Sequence, residues 1–314
     1  MKRLLLLILS LFFISGFAFA QVPQPDMTLK LYPQGQNADS GIVEKGVVIT
    51  QGPFESNGLN GIERSVPRGW IFNIGDDARI NLYLPEHPNG QMVIVCPGGG
   101  YEFVSSLNEG QLVAKWLKDN GIAVCVLYYR LPNKHHVVPL IDVQNAFRYC
   151  RFHAAEWGVN QIGIMGFSAG GHLAAYASNL YVDNNTRPDF TILVYPVITL
   201  EKEFTHIGTR NGLVGDDEAS SVYYSMENRV TENTPPTLIC LSADDETVHP
   251  INSLRYFSEL QKNKVEVQMN IFPSGGHGFG FTTSEFGTDA LEPHRKLFFD
   301  CILHFLHEIH DPES

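Results

Sequence analysis

The residues that decide the fold are Ile162-Gly163-Ile164-Met165-Gly166-Phe167-Ser168-Ala169-Gly170-Gly171-His172. An apolar pattern typical of a short strand leads to Gly166, and small residues typical of a closely packed helix follow Ser168. The Gly-x-Ser-x-Gly pattern leaves the space that a sharp strand-to-helix turn requires, because glycine has no Cβ. Such a turn would raise the Ser168 hydroxyl above the end of a sheet as a nucleophile. A helix start capped by the serine is the alternative.

On both sides of this stretch, apolar runs alternate with segments of helical periodicity. The runs that we interpret as buried strands are 92–96, 122–129, 162–165, 190–195, 237–241 and 265–272. The segments in which apolar spacing predicts helices are 112–117, 143–154, 169–180, 251–260 and 297–309. This alternation predicts an α/β fold with a mostly parallel central sheet and helices on both faces.

The chain begins with the features of an export signal. Two basic residues precede an apolar run, and Ala18-Phe19-Ala20 fits a signal-peptidase site. We therefore expect residues 1–20 to be a signal peptide cut after Ala20, and the mature protein to be secreted or periplasmic without membrane association. A membrane anchor is the alternative, since 4–20 is close to the shortest length that spans a bilayer.

The remaining residues, 21–314, are predicted to form a single domain, because no linker or internal repeat interrupts them. Within this domain, 21–61 is rich in Pro, Gly, Gln and Asn, which predicts an irregular N-terminal segment. Residues 71–74 and 80–84 have the alternating character of strands. The Gly75-Asp76-Asp77 between them predicts a hairpin.

Composition excludes several classes of protein. The 314 residues include 22 Lys and Arg against 34 Asp and Glu, a formal charge of −12. A nucleic-acid binder draws most of its affinity from clustered basic residues, and no basic run occurs after the first three residues, so nucleic acid is not an expected partner. The five cysteines form no Cys-x-x-Cys, and we expect neither a disulfide nor a metal site. No feature predicts an oligomeric state.

A serine nucleophile needs a base, and the base needs a carboxylate to orient it. In a strand–turn–helix fold of this kind, the chain order is Ser, then Asp or Glu, then His. Asp244 and Asp245 follow the strand 237–241 directly, at the end where the sites of open α/β sheets collect. His277 follows the next strand in a glycine-rich loop that allows a close approach to Ser168. His277 is the predicted base, and both aspartates are open as the acid.

Acyl transfer also needs N–H donors for the charge that develops on the carbonyl oxygen. One candidate is the backbone N–H of Ala169, and the other is the loop Gly98-Gly99-Gly100 at the end of the strand 92–96. A phosphate cradle is the rival use of such a loop. No Lys-Ser or Lys-Thr pair follows it, however, and no Gly-x-Gly-x-x-Gly is present.

Together these motifs resemble the α/β-hydrolase superfamily, and within it the secreted bacterial esterases of the acetyl xylan esterase and feruloyl esterase type. The segments that carry the resemblance, in the family order, are 97–101, 128–132, 168–174, 244–250 and 275–280. The family's Asp-x-x-Val pattern falls on 245–248 and favours Asp245 over Asp244. Lipase-type relatives read His-Gly-Gly-Gly where this chain has Pro97 before its glycines, so the resemblance leaves the choice among Gly98, Gly99 and Gly100 open; we expect Gly99 and Gly100 to be the oxyanion donors. Tyr101 stands beside that loop, where it would either line the substrate pocket or pack.

The resemblance implies a secreted serine esterase that removes small acyl groups, acetyl in particular, from polysaccharides such as xylan. The predicted triad has Ser168 as the nucleophile, His277 as the base and Asp245 as the acid, with the glycine loop and Ala169 holding the oxyanion. No metal or organic cofactor is implied. The alternatives are a general carboxylesterase or a prolyl-oligopeptidase-like peptidase with the same triad, and a non-catalytic binding protein on a hydrolase scaffold.

Overall fold

The computed structural model describes residues 22–32, 43–44, 47–48, 63–66, 69–74, 78–282 and 290–310. The predicted signal peptide, 1–20, lies outside the described residues, and so does most of the segment 33–62. Every residue that the sequence predicts for the site falls within the described ranges.

The strands of the described residues are, in chain order, β1 (Met27–Lys30), β2 (Val43–Glu44), β3 (Val47–Val48), β4 (Arg64–Val66), β5 (Trp70–Phe72), β6 (Arg79–Tyr83), β7 (Gln91–Cys96), β8 (Phe103–Ser105), β9 (Ala123–Tyr128), β10 (Gln161–Phe167), β11 (Thr191–Val194), β12 (Thr237–Ser242) and β13 (Val267–Phe272). The central sheet has the order β1-β6-β9-β7-β10-β11-β12-β13. Strands β7 and β9 to β13 run parallel, whereas β6 is antiparallel to β9 and β1 is antiparallel to β6. The inner strands are buried along nearly their whole length. The predicted α/β class with a mostly parallel sheet is confirmed.

The helices are, in chain order, α1 (Leu112–Asp119), α2 (Val138–His153), α3 (Ser168–Asn179), α4 (Ile207–Leu213), α5 (Glu218–Tyr223), α6 (Ile251–Lys262) and α7 (Arg295–His310). A π-helical turn, Leu107–Gln111, precedes α1. The five predicted helices correspond to α1, α2, α3, α6 and α7. The sequence did not predict α4 and α5, which are too short to show a periodic apolar pattern.

The register of the sheet brings distant loops together. Cys96 of β7 pairs with Gly166 of β10, so the glycine loop and the serine turn leave the sheet side by side. Ser242 of β12 pairs with Phe272 of β13, which places the loop of the predicted acid beside the loop of the predicted base. The carboxyl ends of parallel strands thus collect the predicted site residues at one edge of the sheet.

The predicted hairpin of 71–74 and 80–84 is wrong. Strand β5 pairs with β4 and β8 in a separate three-stranded antiparallel sheet, whereas β6 enters the central sheet between β1 and β9. Alternating apolar residues indicate an extended segment, but they do not choose its partner. Strand β1, within the segment predicted to be irregular, adds a further edge to the central sheet.

All five cysteines are buried, and no disulfide joins any two of them in the structure. Burial raises the pKa of Cys96 and of Cys240 far above the ordinary thiol value. These thiols therefore stay protonated and pack as small apolar side chains.

A buried ion pair joins the start of the described chain to the core. Arg130 and Asp142 are fully buried, and Arg130 Nη2 lies 2.7 Å from Asp142 Oδ1. The Tyr32 hydroxyl donates to the same carboxylate, and Asn145 donates to the Tyr32 oxygen over 3.1 Å. Because water does not reach either charge, each depends on the other for compensation.

Asp142→Ala should lower the free energy of unfolding by about 3–5 kcal/mol, because it leaves the Arg130 guanidinium buried without a counter-charge. Urea denaturation followed by circular dichroism measures this loss. The matched control is Asp300→Ala, which removes the exposed partner of Lys296 and should cost no more than about 1 kcal/mol. Equal losses in the two variants would contradict the dependence on burial.

Candidate active site

The turn between β10 and α3 holds Ser168 in a strained backbone conformation. Its φ angle is +53°, in the left-handed region that serine rarely adopts. A Cβ on Gly166 would lie 2.2 Å from Gly170 O, and one on Gly170 would lie 2.1 Å from Cys96 O, so both positions require glycine. No side-chain cap closes the start of α3. The residues therefore form the sharp turn and not a serine-capped helix start.

Ser168, His277 and Asp245 form a hydrogen-bonded chain. His277 Nε2 lies 2.9 Å from Ser168 Oγ, and His277 Nδ1 lies 2.7 Å from Asp245 Oδ2. The Asp245 side chain is 1% exposed and that of His277 is 17% exposed, so the carboxylate is shielded while the imidazole reaches the cleft. With Nδ1–H donating to the carboxylate, Nε2 keeps a lone pair that can take the serine proton.

The structure distinguishes the two candidate acids. Asp245 Oδ1 accepts the backbone N–H groups of Thr247 and Val248, each over 2.9 Å, which orients Oδ2 to His277. Asp244 is exposed and accepts the N–H of Gly276 over 2.9 Å. That hydrogen bond, above all, lowers the pKa of Asp244. Asp244 therefore holds the loop of the histidine, whereas Asp245 contacts the histidine itself.

The three glycines of the loop after β7 have different roles. Gly98 N–H donates to Glu109 Oε2 over 2.8 Å and is thereby occupied. Gly99 and Gly100 have φ angles of +129° and +64°, and neither N–H has an acceptor among the described residues. The N–H of Ala169 lies in the first turn of α3, where no helical acceptor exists. The donors free to bind an oxyanion thus include the three that the sequence predicts.

Glu109 lies beneath the site and was not predicted. Its carboxylate is 5% exposed and accepts the Tyr195 hydroxyl over 2.7 Å as well as the N–H of Gly98. The Tyr195 oxygen accepts the N–H of Gly280 over 3.0 Å, and its ring centroid lies 4.8 Å from that of His277. Glu109 therefore connects the glycine loop to the loop that carries the histidine.

Opposing influences act on the Glu109 carboxyl group. Burial raises its pKa, while the bond from Tyr195, the charge of His277 and the N–H of Gly98 oppose that rise. Because donors converge on both oxygens, the ionised form fits the site. In the sequence, Glu109 stands in a polar run with Asn108 and Gly110, which carries no signal of burial. Its inward position comes from the π-helical turn Leu107–Gln111.

Tyr101 takes the packing alternative. Its side chain is 3% exposed and its hydroxyl lies 3.0 Å from His172 Nδ1, so the structure does not place it in the lining of the cleft. His172 Nε2 lies 2.8 Å from the Tyr224 carbonyl oxygen. Since a carbonyl only accepts, Nε2 carries the proton and Nδ1 accepts from Tyr101. This pair connects Tyr101, the residue after Gly100, to helix α3.

A cleft of about 470 Å³ opens above Ser168 and His277. The further lining residues that the sequence did not predict include Trp70, Glu102, Phe103, Asn108 and His206. Trp70 and Phe103 come from β5 and β8, which pair in the small antiparallel sheet. The predicted hairpin of β5 with β6 therefore gave no indication that β5 and β8 form one side of the cleft.

The described ranges hold no group of three or more His, Cys, Asp or Glu side chains arranged as a metal ion would need. In the same ranges, no helix combines the length and the apolar content that crossing a bilayer requires. What the site does contain is a serine hydroxyl, an imidazole, a buried carboxylate and backbone N–H groups. Groups of these kinds can carry out acyl transfer through a covalent intermediate.

A parallel sheet with a strained serine turn, followed by an acid and a histidine on the next loops, is the architecture of the α/β hydrolases. The model of the prolyl oligopeptidase family matches residues 127–300, and this chain belongs to that family. The predicted resemblance to the α/β-hydrolase superfamily is confirmed.

Similar proteins include enzymes named for xylan. An acetylxylan esterase of Xylanibacter ruminicola is 35% identical over 232 residues, which are 71% of this chain and 48% of the relative. An endo-1,4-beta-xylanase B of Butyrivibrio fibrisolvens is 34% identical over 214 residues, 62% of this chain and 33% of the relative. The chain thus spans less than half the length of these two curated relatives. Among solved structures, an acetyl ester-xyloside bifunctional hydrolase of Caldicellulosiruptor lactoaceticus has a TM-score of 0.66 at 31% identity, covering 74% of this chain and 89% of that chain.

Glu109→Gln should slow the acylation of Ser168 by 4-nitrophenyl acetate about 10- to 100-fold, because the amide nitrogen replaces an acceptor of the loop that holds the oxyanion donors. The control is Glu86→Gln, an exposed carboxylate, which should leave the rate unchanged. An undiminished acylation rate in Glu109→Gln would contradict the role of Glu109 in holding the glycine loop.

The buried His172 should destabilise the fold in acid. Burial lowers its pKa from 6.5 to about 4. Between these values the unfolded chain binds a proton that the folded chain does not, so the stability present above pH 6.5 is lost towards pH 4, by about 3 kcal/mol. His172→Gln should remove that part of the decline in urea unfolding between pH 7 and pH 4. Parallel declines in both proteins would rule the effect out.

Proposed function

We propose that this chain is a serine esterase that removes acetyl groups from xylan or a related polysaccharide. Ser168 Oγ attacks the ester carbonyl carbon while His277 Nε2 takes the serine proton. The oxyanion that forms lies among the N–H groups of Gly99, Gly100 and Ala169. The bond between the carbonyl carbon and the sugar oxygen then breaks, the sugar oxygen takes the proton from His277, and the acetyl group stays on Ser168.

Water completes the cycle. His277 takes a proton from water, whose oxygen attacks the acetyl carbon, and collapse of the second oxyanion returns the proton to Ser168 Oγ and releases acetic acid. Asp245 stabilises the charged imidazole in both halves of the reaction. No step requires a metal or an organic cofactor.

One observation carries the proposal: the chain from Ser168 Oγ to His277 Nε2 at 2.9 Å, and from His277 Nδ1 to Asp245 Oδ2 at 2.7 Å, lies at the mouth of a cleft. The glycine loop beside it offers N–H groups in a backbone conformation that favours glycine. These are the two elements that acyl transfer by serine needs.

The relatives named for acetylxylan and xylan support the choice of substrate. Charge supports it as well, because the chain carries a formal charge of −12 and, among the described residues, neither Lys nor Arg lines the cleft. Long-range electrostatics thus favour a neutral sugar ester over an anionic one. Export of the protein remains a prediction from residues 1–20.

A peptidase is the second candidate function, and membership of the prolyl oligopeptidase family favours it. The same triad cleaves amides when the amine leaves with the proton from His277. A general carboxylesterase would use the same groups without a sugar preference.

Wild-type protein should hydrolyse 4-nitrophenyl acetate and release acetate from acetylated xylan, with little cleavage of an aminoacyl 4-nitroanilide. Ser168→Ala should lower kcat by about 10⁴- to 10⁶-fold, and Asp245→Asn by about 10⁴-fold, because the histidine loses its orienting carboxylate. Asp244→Asn is the matched control and should retain kcat within about tenfold. Full activity of Ser168→Ala would contradict the proposed mechanism. Preferential cleavage of the anilide would favour the peptidase function over the esterase function.

A further inference from the structure

His206 lines the cleft with one ring nitrogen already engaged. It caps α4, and its Nδ1 accepts the N–H of Thr209 over 3.2 Å and the Thr209 hydroxyl over 2.9 Å. Two donors on Nδ1 leave the proton of the neutral imidazole on Nε2. Burial, ahead of the charge of His277, lowers the pKa of His206, so the neutral ring prevails at neutral pH. The Nε2–H has no acceptor among the described residues, which makes it a donor available to a ligand.

This donor lies beside the glycine loop, together with an acceptor. His206 Cε1 is 3.1 Å from the position that a Cβ on Gly100 would occupy. Glu102 Oε1 is 3.2 Å from the position that a Cβ on Gly208 would occupy. Both side chains line the cleft. A hydroxyl group is the ligand that can accept from a neutral N–H and donate to a carboxylate.

An aromatic wall completes this part of the cleft. The ring centroids of Trp70 and Phe103 are 4.5 Å apart with their planes at 26°, so the two rings are stacked. Both rings line the cleft, and Phe72 supports Phe103 at 5.2 Å. An apolar aromatic surface next to a few polar groups fits a sugar, whose ring has C–H faces and a hydroxyl edge.

We propose that Trp70, Phe103, Glu102 and His206 form a subsite for a neutral sugar ring, the alcohol part of the ester that Ser168 attacks. The inference rests on the proposed esterase function and adds where its sugar binds. A cleft of about 470 Å³ is much larger than an acetyl group, so space remains for a sugar. A uronate would find no Lys or Arg among the described lining residues to compensate its charge.

The test compares a sugar ester with an ester that lacks the sugar. For Trp70→Ala and His206→Asn, kcat/KM is measured on acetylated xylotriose and on 4-nitrophenyl acetate, and also on methyl ferulate as a probe for an aromatic acyl group. Asparagine at 206 keeps a capping acceptor for Thr209 but withdraws the Nε2 donor. In each variant, kcat/KM on acetylated xylotriose should fall about tenfold relative to kcat/KM on 4-nitrophenyl acetate, as expected for one lost hydrogen bond or stacking contact.

The controls are Phe152→Ala and His304→Asn, two exposed side chains outside the cleft, which should leave both rates and their ratio unchanged. Equal losses on both substrates would assign Trp70 and His206 a structural role and overturn the subsite. An unchanged ratio would overturn it as well. A loss confined to methyl ferulate would give the wall to an aromatic acyl group and also refute the sugar assignment.

Binding separates this inference from the proposed function. Titration calorimetry of Ser168→Ala with unacetylated xylotriose should detect binding that the added Trp70→Ala substitution weakens about tenfold or more. If the wild type hydrolyses no acetyl ester but this binding is found, the esterase proposal fails and the subsite stands. If the wild type is an active esterase while Ser168→Ala binds no xylotriose and the ratio stays unchanged, the subsite alone fails.

Discussion

The close contact between the serine turn and the end of β7 is the constraint on which the site depends. A side chain on Gly170 would place its Cβ 2.1 Å from Cys96 O and 2.4 Å from Pro97 O. The left-handed backbone at Ser168 costs about 1–3 kcal/mol, and the parallel pairing of β7 with β10 holds it in place. Because β7 continues into the glycine loop, one contact positions both Ser168 and the N–H groups of Gly99 and Gly100.

Glu109 extends this constraint to the loop of His277. Burial of a carboxylate is unfavourable unless hydrogen bonds replace its hydration. Here Gly98 N–H and the Tyr195 hydroxyl supply them, and Tyr195 in turn fixes Gly280 in the loop of His277. An apolar residue at position 109 would leave both donors buried without an acceptor. The buried Glu109 carboxylate therefore fixes the positions of three loops relative to one another. Apolar packing alone would fix these positions less specifically.

The parts of the fold that the sequence predicts are those with local signals. Continuous apolar runs mark the parallel strands, and the glycines around Ser168 and His277 mark the two turns. The parts that the sequence does not predict are contacts between segments that lie far apart in the chain. Strand β6 pairs with β9 and not with β5. The choice between Asp244 and Asp245 also depends on the fold, because the side chain that contacts His277 is that of Asp245. In the sequence, the neighbours of Glu109 are typical of a surface residue. Its burial follows only from the fold, which places the glycine loop above it.

The family match covers only some of the residues that line the cleft. Residues 127–300 contain Ser168, Asp245 and His277 together with strands β10 to β13. The glycine loop, Glu109 and the aromatic pair on β5 and β8 all precede residue 127. Esters and peptides share the acyl chemistry but differ in the leaving group, which must fit the cleft beside the serine. A family name that includes peptidases therefore does not choose the substrate, because Trp70, Glu102 and Phe103, which line the cleft, lie outside the matched range.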